Sequence, residues 1–235
     1  MRSKKEEGRR TLQAIVFDFD GVIANSEPLH FGAFRDVLAE EGVTLTEGDY
    51  YARYLGYDDV GVFKAIDAAR GAWGRPDIAR LVARKAVQLE ALEHDTSVLF
   101  PGAADAVRRA AAAMPVAIAS GARGAEIRRV LEREQLAGCF TAIVAAEDTP
   151  VSKPAPDPYR RAVSLLAAAC GGTLAAAECV AIEDSRWGLE SARAAGLRTV
   201  AVTNSYPAST LADAADLVID SLASLDLDAL SRLYS

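Results

Sequence analysis

Ala14-Ile15-Val16-Phe17-Asp18-Phe19-Asp20-Gly21-Val22 is the stretch that decides how this chain is read. Four apolar residues with β-branched members predict a buried strand over 14–17, and the strand stops at two carboxylates separated by one residue. In a parallel sheet this is the carboxyl edge, where open α/β folds bind ligands. Side chains alternate along a strand, so Asp18 and Asp20 would share a face if the extension continued. Gly21 favours a turn instead, which could bring both acids to one site. Two neighbouring carboxylates repel unless a cation lies between them or one is protonated. The pair therefore predicts a hard-metal site, an acid/base pair, or both; the plainer reading is a strand that ends in solvent at two capping acids.

Downstream of this strand the hydrophobic pattern changes period. Pro28 opens a helix with Ser26 as its cap, Leu29, Ala33, Phe34, Val37 and Leu38 follow at helical spacing, and Gly42 ends it. Amphipathic segments near 46–55, 58–70 and 77–92 follow, with turn signals at Gly56 and from Gly71 to Pro76. No strand-like run occurs from 28 to 96, which predicts a helical insertion rather than a continuing βα alternation. From Pro101 the alternation resumes: helix 102–113, strand 115–119, helix 124–135, strand 141–145, helix 157–169, strand 179–182, helix 186–195, then strands 199–202 and 217–219. That rhythm predicts an α/β fold with a parallel sheet and helices on both faces.

Composition narrows the partners. With 235 residues, 51% of them hydrophobic and 25% charged, the chain is expected to be a soluble globular protein of one large or two modest domains. A net charge of −7 argues against nucleic acid or an anionic membrane as partner, and any phosphate must be met by local cations and backbone amides. Cys139, Cys170 and Cys179 lack metal-ligand spacing and point to a reducing compartment. No apolar stretch approaches transmembrane length, and the polar start, Met1 to Arg10, reads as frayed rather than as a signal peptide; the expected location is cytoplasmic.

Two more strand ends and one loop carry polar residues of a telling type. The strand at 115–119 leads into Ser120-Gly121, and a hydroxyl with free amides at a helix start is a natural phosphate cradle or an ordinary cap. The strand at 179–182 ends at Glu183-Asp184, a second acidic pair that could converge with the first on magnesium, or simply mark a helix N-terminus. Lys153 lies in Val151-Ser152-Lys153-Pro154-Ala155-Pro156-Asp157-Pro158, where prolines stiffen the loop. A fixed ammonium there would hold a carboxylate and a phosphate together, though a lone lysine is more often a surface residue.

In this order the motifs resemble the haloacid dehalogenase superfamily of phosphatases: DFDGV at 18–22, serine at 120, KPAPDPY at 153–159 and IEDS at 182–185. The stretch from Asp20 to His30, with Ser26-Glu27-Pro28-Leu29-His30, is similar to the subgroup of β-phosphoglucomutase and related sugar-phosphate phosphatases. The resemblance implies a Rossmann-like, doubly wound core formed by 1–26 and 95–235, with a four-helix cap at 27–94. It implies that Asp18 is the nucleophile that becomes an aspartyl-phosphate, and that Asp20 protonates the leaving oxygen and then activates water. Ser120 and Gly121 would bind the transferring phosphoryl group and Lys153 would steady it. Asp184, with Glu183, Asp18 and the Asp20 carbonyl, would hold Mg2+.

The expected function is thus a magnesium-dependent phosphatase acting on a small phosphorylated metabolite, plausibly a sugar phosphate, by a monomer or weak dimer. The alternatives are a phosphomutase with the same covalent chemistry and a non-catalytic binding module. All four acids are retained, which opposes the module. Selectivity is expected from His30, from Gly56 in the cap loop, and from Arg123, three residues after Ser120. The mutase loop, as aligned, carries an arginine for a second phosphate where this chain has Asp59, and that acid is expected to favour hydrolysis over mutation.

Overall fold

The structure, a computed structural model, describes residues 11–55, 57–69, 76–94, 97–172 and 174–234. The expected loop glycine Gly56, most of the turn before Pro76, and the charged start up to Arg10 lie outside the described residues. Residues up to Asn25 together with those from Leu99 onward form one compact unit, and Ser26–Val98 form a second.

The second unit is built from α1 (Glu27–Glu40), α2 (Glu47–Arg53), α3 (Asp59–Ala69) and α4 (Ile78–His94). Its core gathers Phe34, Val37, Leu38, Tyr50, Val62, Phe63, Ile66 and Leu81, with Phe34 and Phe63 edge to face at 5.2 Å. Pro28 occupies the first turn of α1, where its missing N–H costs nothing. Ser26 is not the side-chain cap expected: its backbone is already helical (φ −78°, ψ −21°), and its hydroxyl makes no capping hydrogen bond. Thr46 does cap α2, accepting from the Asp49 amide at 3.1 Å.

The first unit holds β1 (Ala14–Phe17), α5 (Ala103–Ala113), β2 (Val116–Ala119), α6 (Gly124–Arg133), β3 (Ala142–Val144), α7 (Asp157–Ala169), β4 (Cys179–Glu183), α8 (Arg186–Ala195), β5 (Arg198–Val202), α9 (Ala208–Leu211), β6 (Leu217–Ile219) and α10 (Leu227–Arg232). All six strands are parallel and run in the order β3-β2-β1-β4-β5-β6. Ala14 and Val16 pack with Tyr159, Ala162 and Leu166 of α7 on one face, while Ile15 and Phe17, which point the other way, are equally buried. Burial on both faces is why these strands read as unbroken apolar runs.

The chain winds outward from β1 to β3, then returns to the other side of β1 to lay down β4. The strand order therefore reverses between β1 and β4. In an open α/β sheet the crevice outside the carboxyl ends at such a reversal is where ligands bind. Among the described residues no helix is long and apolar enough to cross a membrane, and Cys139, Cys170 and Cys179 are free thiols.

Candidate active site

Phe17 pairs with Ile182, and the Asp18 amide donates to the Ile182 carbonyl at 2.9 Å, so β1 and β4 end side by side. This register sets Asp18 next to Glu183, with Asp184 one residue beyond. One oxygen from each of the three carboxylates lies within 4.8 Å of the others, and all three residues are buried. Lys153 closes the group: its Nζ is 2.9 Å from Asp18 Oδ2 and 2.6 Å from Glu183 Oε1.

Glu183 is fully occupied. Its Oε1 accepts from Lys153 and from the Tyr159 hydroxyl at 3.0 Å, while its Oε2 accepts from the amides of Asp184 and Ser185 and from the Ser185 hydroxyl. Five donors saturate a carboxylate that offers about four lone-pair sites. Burial alone would raise its pKa, but Lys153 outweighs burial and holds Glu183 ionised below the usual carboxylate value. Lys153 in turn remains an ammonium, because Asp18 and Glu183 together overcome the burial that disfavours its charge.

Asp18 and Asp184 are pushed the opposite way. Burial, then Glu183, raises the Asp18 carboxyl well above its ordinary range, against the pull of Lys153. Burial and Glu183 likewise raise Asp184 to about 6. Three carboxylates around one ammonium leave an excess of negative charge in a site of oxygen donors, which fits a hard divalent cation. Acidic Asp20 is half-buried in the turn after β1, and its side chain is not among these three. The turn is tied by the amides of Val22, Ile23 and Ala24, all donating to the Phe19 carbonyl.

Two glycines are required by the acids. Gly21 has φ +77°, and a Cβ on it would fall 1.9 Å from Asp184 Oδ2. A Cβ on Gly188, in the first turn of α8, would fall 1.8 Å from Glu183 Oε1. Gly21→Ala is expected to displace Asp184, cutting divalent-cation affinity at least about tenfold and stability by about 1–2 kcal/mol. Calorimetric titration and thermal melting read these two effects, and wild-type affinity in the variant would contradict the close approach.

On the other side of β1, Phe17 pairs with Ile118, so Ser120 follows β2 at the neighbouring strand end. It is buried, with its amide on the Val144 carbonyl at 2.9 Å and its hydroxyl accepting from the Ala122 amide at 3.1 Å. Gly121 is exposed, and a Cβ there would meet nothing within 4 Å. The free amide expected at the start of α6 is not free: Gly124 N donates to the carboxylate of Glu147, 23 residues further along the chain, at 3.1 Å, which satisfies one of the helix's N-terminal amides. Arg123 is exposed at the N-cap position of α6.

In the helical unit, His30 Nδ1 lies 2.9 Å from Lys85 Nζ, and Lys85 bonds Asp59 Oδ1 at 2.8 Å while lying 4.8 Å from the centre of the Phe34 ring. Lys85 is 1% exposed. Asp58 accepts from the Gly61 amide at 2.7 Å. Both acids of the 55–59 loop thus have structural work, and the charge of Asp59 is balanced by a buried cation. Sequence reasoning missed Lys85, although Leu81, Lys85 and Leu89 share one buried stripe of α4. It also assigned no role to Tyr159, whose buried hydroxyl had to find a partner.

The model of the haloacid dehalogenase-like hydrolases matches residues 12–196, which include every strand end just described up to α8. The chain belongs to that family. Its relatives include protein CbbY of Rhodobacter capsulatus, 31% identical over 94% of this chain and 99% of that protein. Hexitol phosphatase B of Escherichia coli K12 is 31% identical over 82% of this chain and 84% of its own length. Among solved structures, CbbY of Rhodobacter sphaeroides, crystallised with xylulose-1,5-bisphosphate, superposes with a TM-score of 0.72 at 26% identity, covering 91% of this chain and 96% of that one. This chain, like them, is a haloacid dehalogenase-like hydrolase with an α/β core.

Proposed function

We propose that this hydrolase is a magnesium-dependent phosphatase of a sugar phosphate, working through an aspartyl-phosphate on Asp18. The observation that carries the reading is the junction of Asp18, Glu183, Asp184 and Lys153 where the strand order reverses. The relatives support the substrate class: one is a hexitol phosphatase, and another was crystallised with a sugar bisphosphate.

In this mechanism Asp18 attacks phosphorus, and the bond to the sugar oxygen breaks as Asp20 delivers a proton to that oxygen. Asp20, now a base, takes a proton from water; the water oxygen attacks phosphorus, the bond to Asp18 breaks, and phosphate leaves. Ser120, the Gly121 amide and Lys153 meet the charge on the transferring oxygens, which would otherwise repel an anionic nucleophile. Asp18 and Asp184 are the carboxylates left to hold Mg2+, since Glu183 spends its oxygens on Lys153, Tyr159 and the start of α8. The ion would polarise the phosphoryl oxygen and offset the excess charge of the cluster. The helices at 27–94 serve as the selectivity-bearing cap.

A second reading, a phosphomutase, gains from one observation. Asp59 was expected to repel a second phosphate, but Lys85 neutralises it, which removes that objection. Phosphate release from a panel of sugar monophosphates, run beside a coupled assay for glucose 6-phosphate primed with glucose 1,6-bisphosphate, separates the two. The expected result is phosphate release that vanishes in EDTA and returns with Mg2+, with little isomerisation. Affinity for Mg2+ should weaken by at least about tenfold per pH unit below about 6, where protons compete for Asp184 and also for Asp18, whose carboxyl is raised by burial. Fast isomerisation without phosphate release would promote the mutase, and full activity in chelator would remove the metal role.

A further inference from the structure

The loop after β5 reaches both halves of the site. Thr203, the residue after β5, still donates its amide to the Ile219 carbonyl at 3.1 Å, and the chain turns there. Asn204 Nδ2 donates to the Gly21 carbonyl at 2.8 Å. The next residue, Ser205, donates its hydroxyl to Asp184 Oδ2. Gly21 itself lies against that same carboxylate, with no room for a Cβ between them. Asn204-Ser205 therefore completes a closed ring with the Gly21 turn after β1 and the acid after β4.

The geometry points to Asn204 and Ser205 as positioning residues for the hydrolase: Ser205 orients the Asp184 carboxylate for a divalent cation, and Asn204 fixes the turn that carries Asp20. The inference rests on the metal-dependent reading above. A carboxylate with one oxygen tied to a hydroxyl loses its freedom to rotate about its terminal bond, so its other oxygen presents a fixed direction to an ion. Groups that hold a ligand in this way typically contribute 10–100-fold to metal affinity. Asn204 acts on a different element. The Gly21 carbonyl belongs to the Gly21–Val22 peptide, one residue beyond Asp20, so an amide bonded there sets the pitch of the turn and with it the direction of the Asp20 side chain.

The two residues predict opposite kinetic signatures, which a general loosening of the loop would not give. Ser205→Ala should weaken Mg2+ binding, measured by calorimetry on the full chain, by about 10–100-fold. Ser205→Thr, which keeps the hydroxyl, should restore it. Asn204→Ala should instead lower kcat by about tenfold or more at saturating Mg2+, with a smaller change in Mg2+ affinity than Ser205→Ala causes. Thermal melting of each variant confirms that folded proteins are compared. Unchanged Mg2+ affinity in Ser205→Ala, failure of Ser205→Thr to rescue it, or identical signatures for the two positions would each overturn the inference. Wild-type protein that binds no Mg2+ would overturn it together with the functional reading, whereas tight wild-type binding with an indifferent Ser205→Ala would sink this inference alone.

Discussion

Asp18→Asn is expected to lower turnover by at least about a thousandfold while leaving the protein at least as stable as before. An amide cannot form the acyl phosphate, so the covalent route closes. The fold should tolerate the change, because burial and Glu183 already disfavour charge at this position. Asn can still accept from the Phe19 amide, as Asp18 Oδ1 does at 2.7 Å, and Lys153 keeps its pairing with Glu183. Steady-state phosphate release and a thermal melt give the two readouts. Trapping the wild type with beryllofluoride, followed by mass spectrometry, tests the nucleophile directly. Substantial turnover by a sequence-verified Asp18→Asn protein would sink the assignment.

Lys153→Met is expected to strike both stability and activity. The ammonium is the only cation described against Glu183 and Asp18, and the variant would leave a fully buried carboxylate without its charge partner. Breaking a buried pair from one side costs about 3–5 kcal/mol. The sign of the pH dependence follows from Glu183. Its pKa is held below the ordinary glutamate value, so in the wild type it contributes stability above that ordinary value and loses it as pH falls through the folded value. Without Lys153 burial dominates and raises that pKa, so the stability gap between the two proteins should narrow on acidification. Urea melts at about pH 8 and about pH 5 measure it, and a gap that does not change with pH would contradict the pairing. Turnover should fall by about 100-fold or more, since the charge on the transferring oxygens loses the ammonium fixed beside Asp18.

What the sequence revealed follows from where each signal is stored. The strands were legible nearly to the residue because each is a short apolar run, buried on both faces in β1, β2 and β4 and half-buried in β6. β6, Leu217–Ile219, and α7, Asp157–Ala169, coincide with the runs read from the sequence. The acids at 18 and 183–184 and Ser120 were legible because each sits at, or just beyond, the end of such a run, and Lys153 because prolines flank it in its loop. The partners of those residues were not. Tyr159 on Glu183, Glu147 on Gly124, Asn204 on Gly21 and Ser205 on Asp184 are contacts made across the fold, and no local pattern marks either member. Asp59 shows the same limit from the other side. As a letter it reads as a bare negative charge, and only the fold supplies Lys85 from the next helix to cancel it.

The position of β1 has a consequence for how the chain is made. This strand is among the first described residues, yet it lies in the middle of the sheet, hydrogen-bonded to β2 on one side and β4 on the other. During ribosomal synthesis β2 and β3 emerge in time to pair along one edge, but β4 follows only after α7. At usual elongation rates the wait between β1 and β4 is on the order of ten seconds. Through that interval the apolar edge Ala14–Phe17 has no strand to cover it, and unpaired edges are where nascent chains join one another. Polypeptides cut short before Cys179 would keep that edge permanently. They should collect in insoluble material or on chaperones, in proportion to how rarely elongation reaches β4.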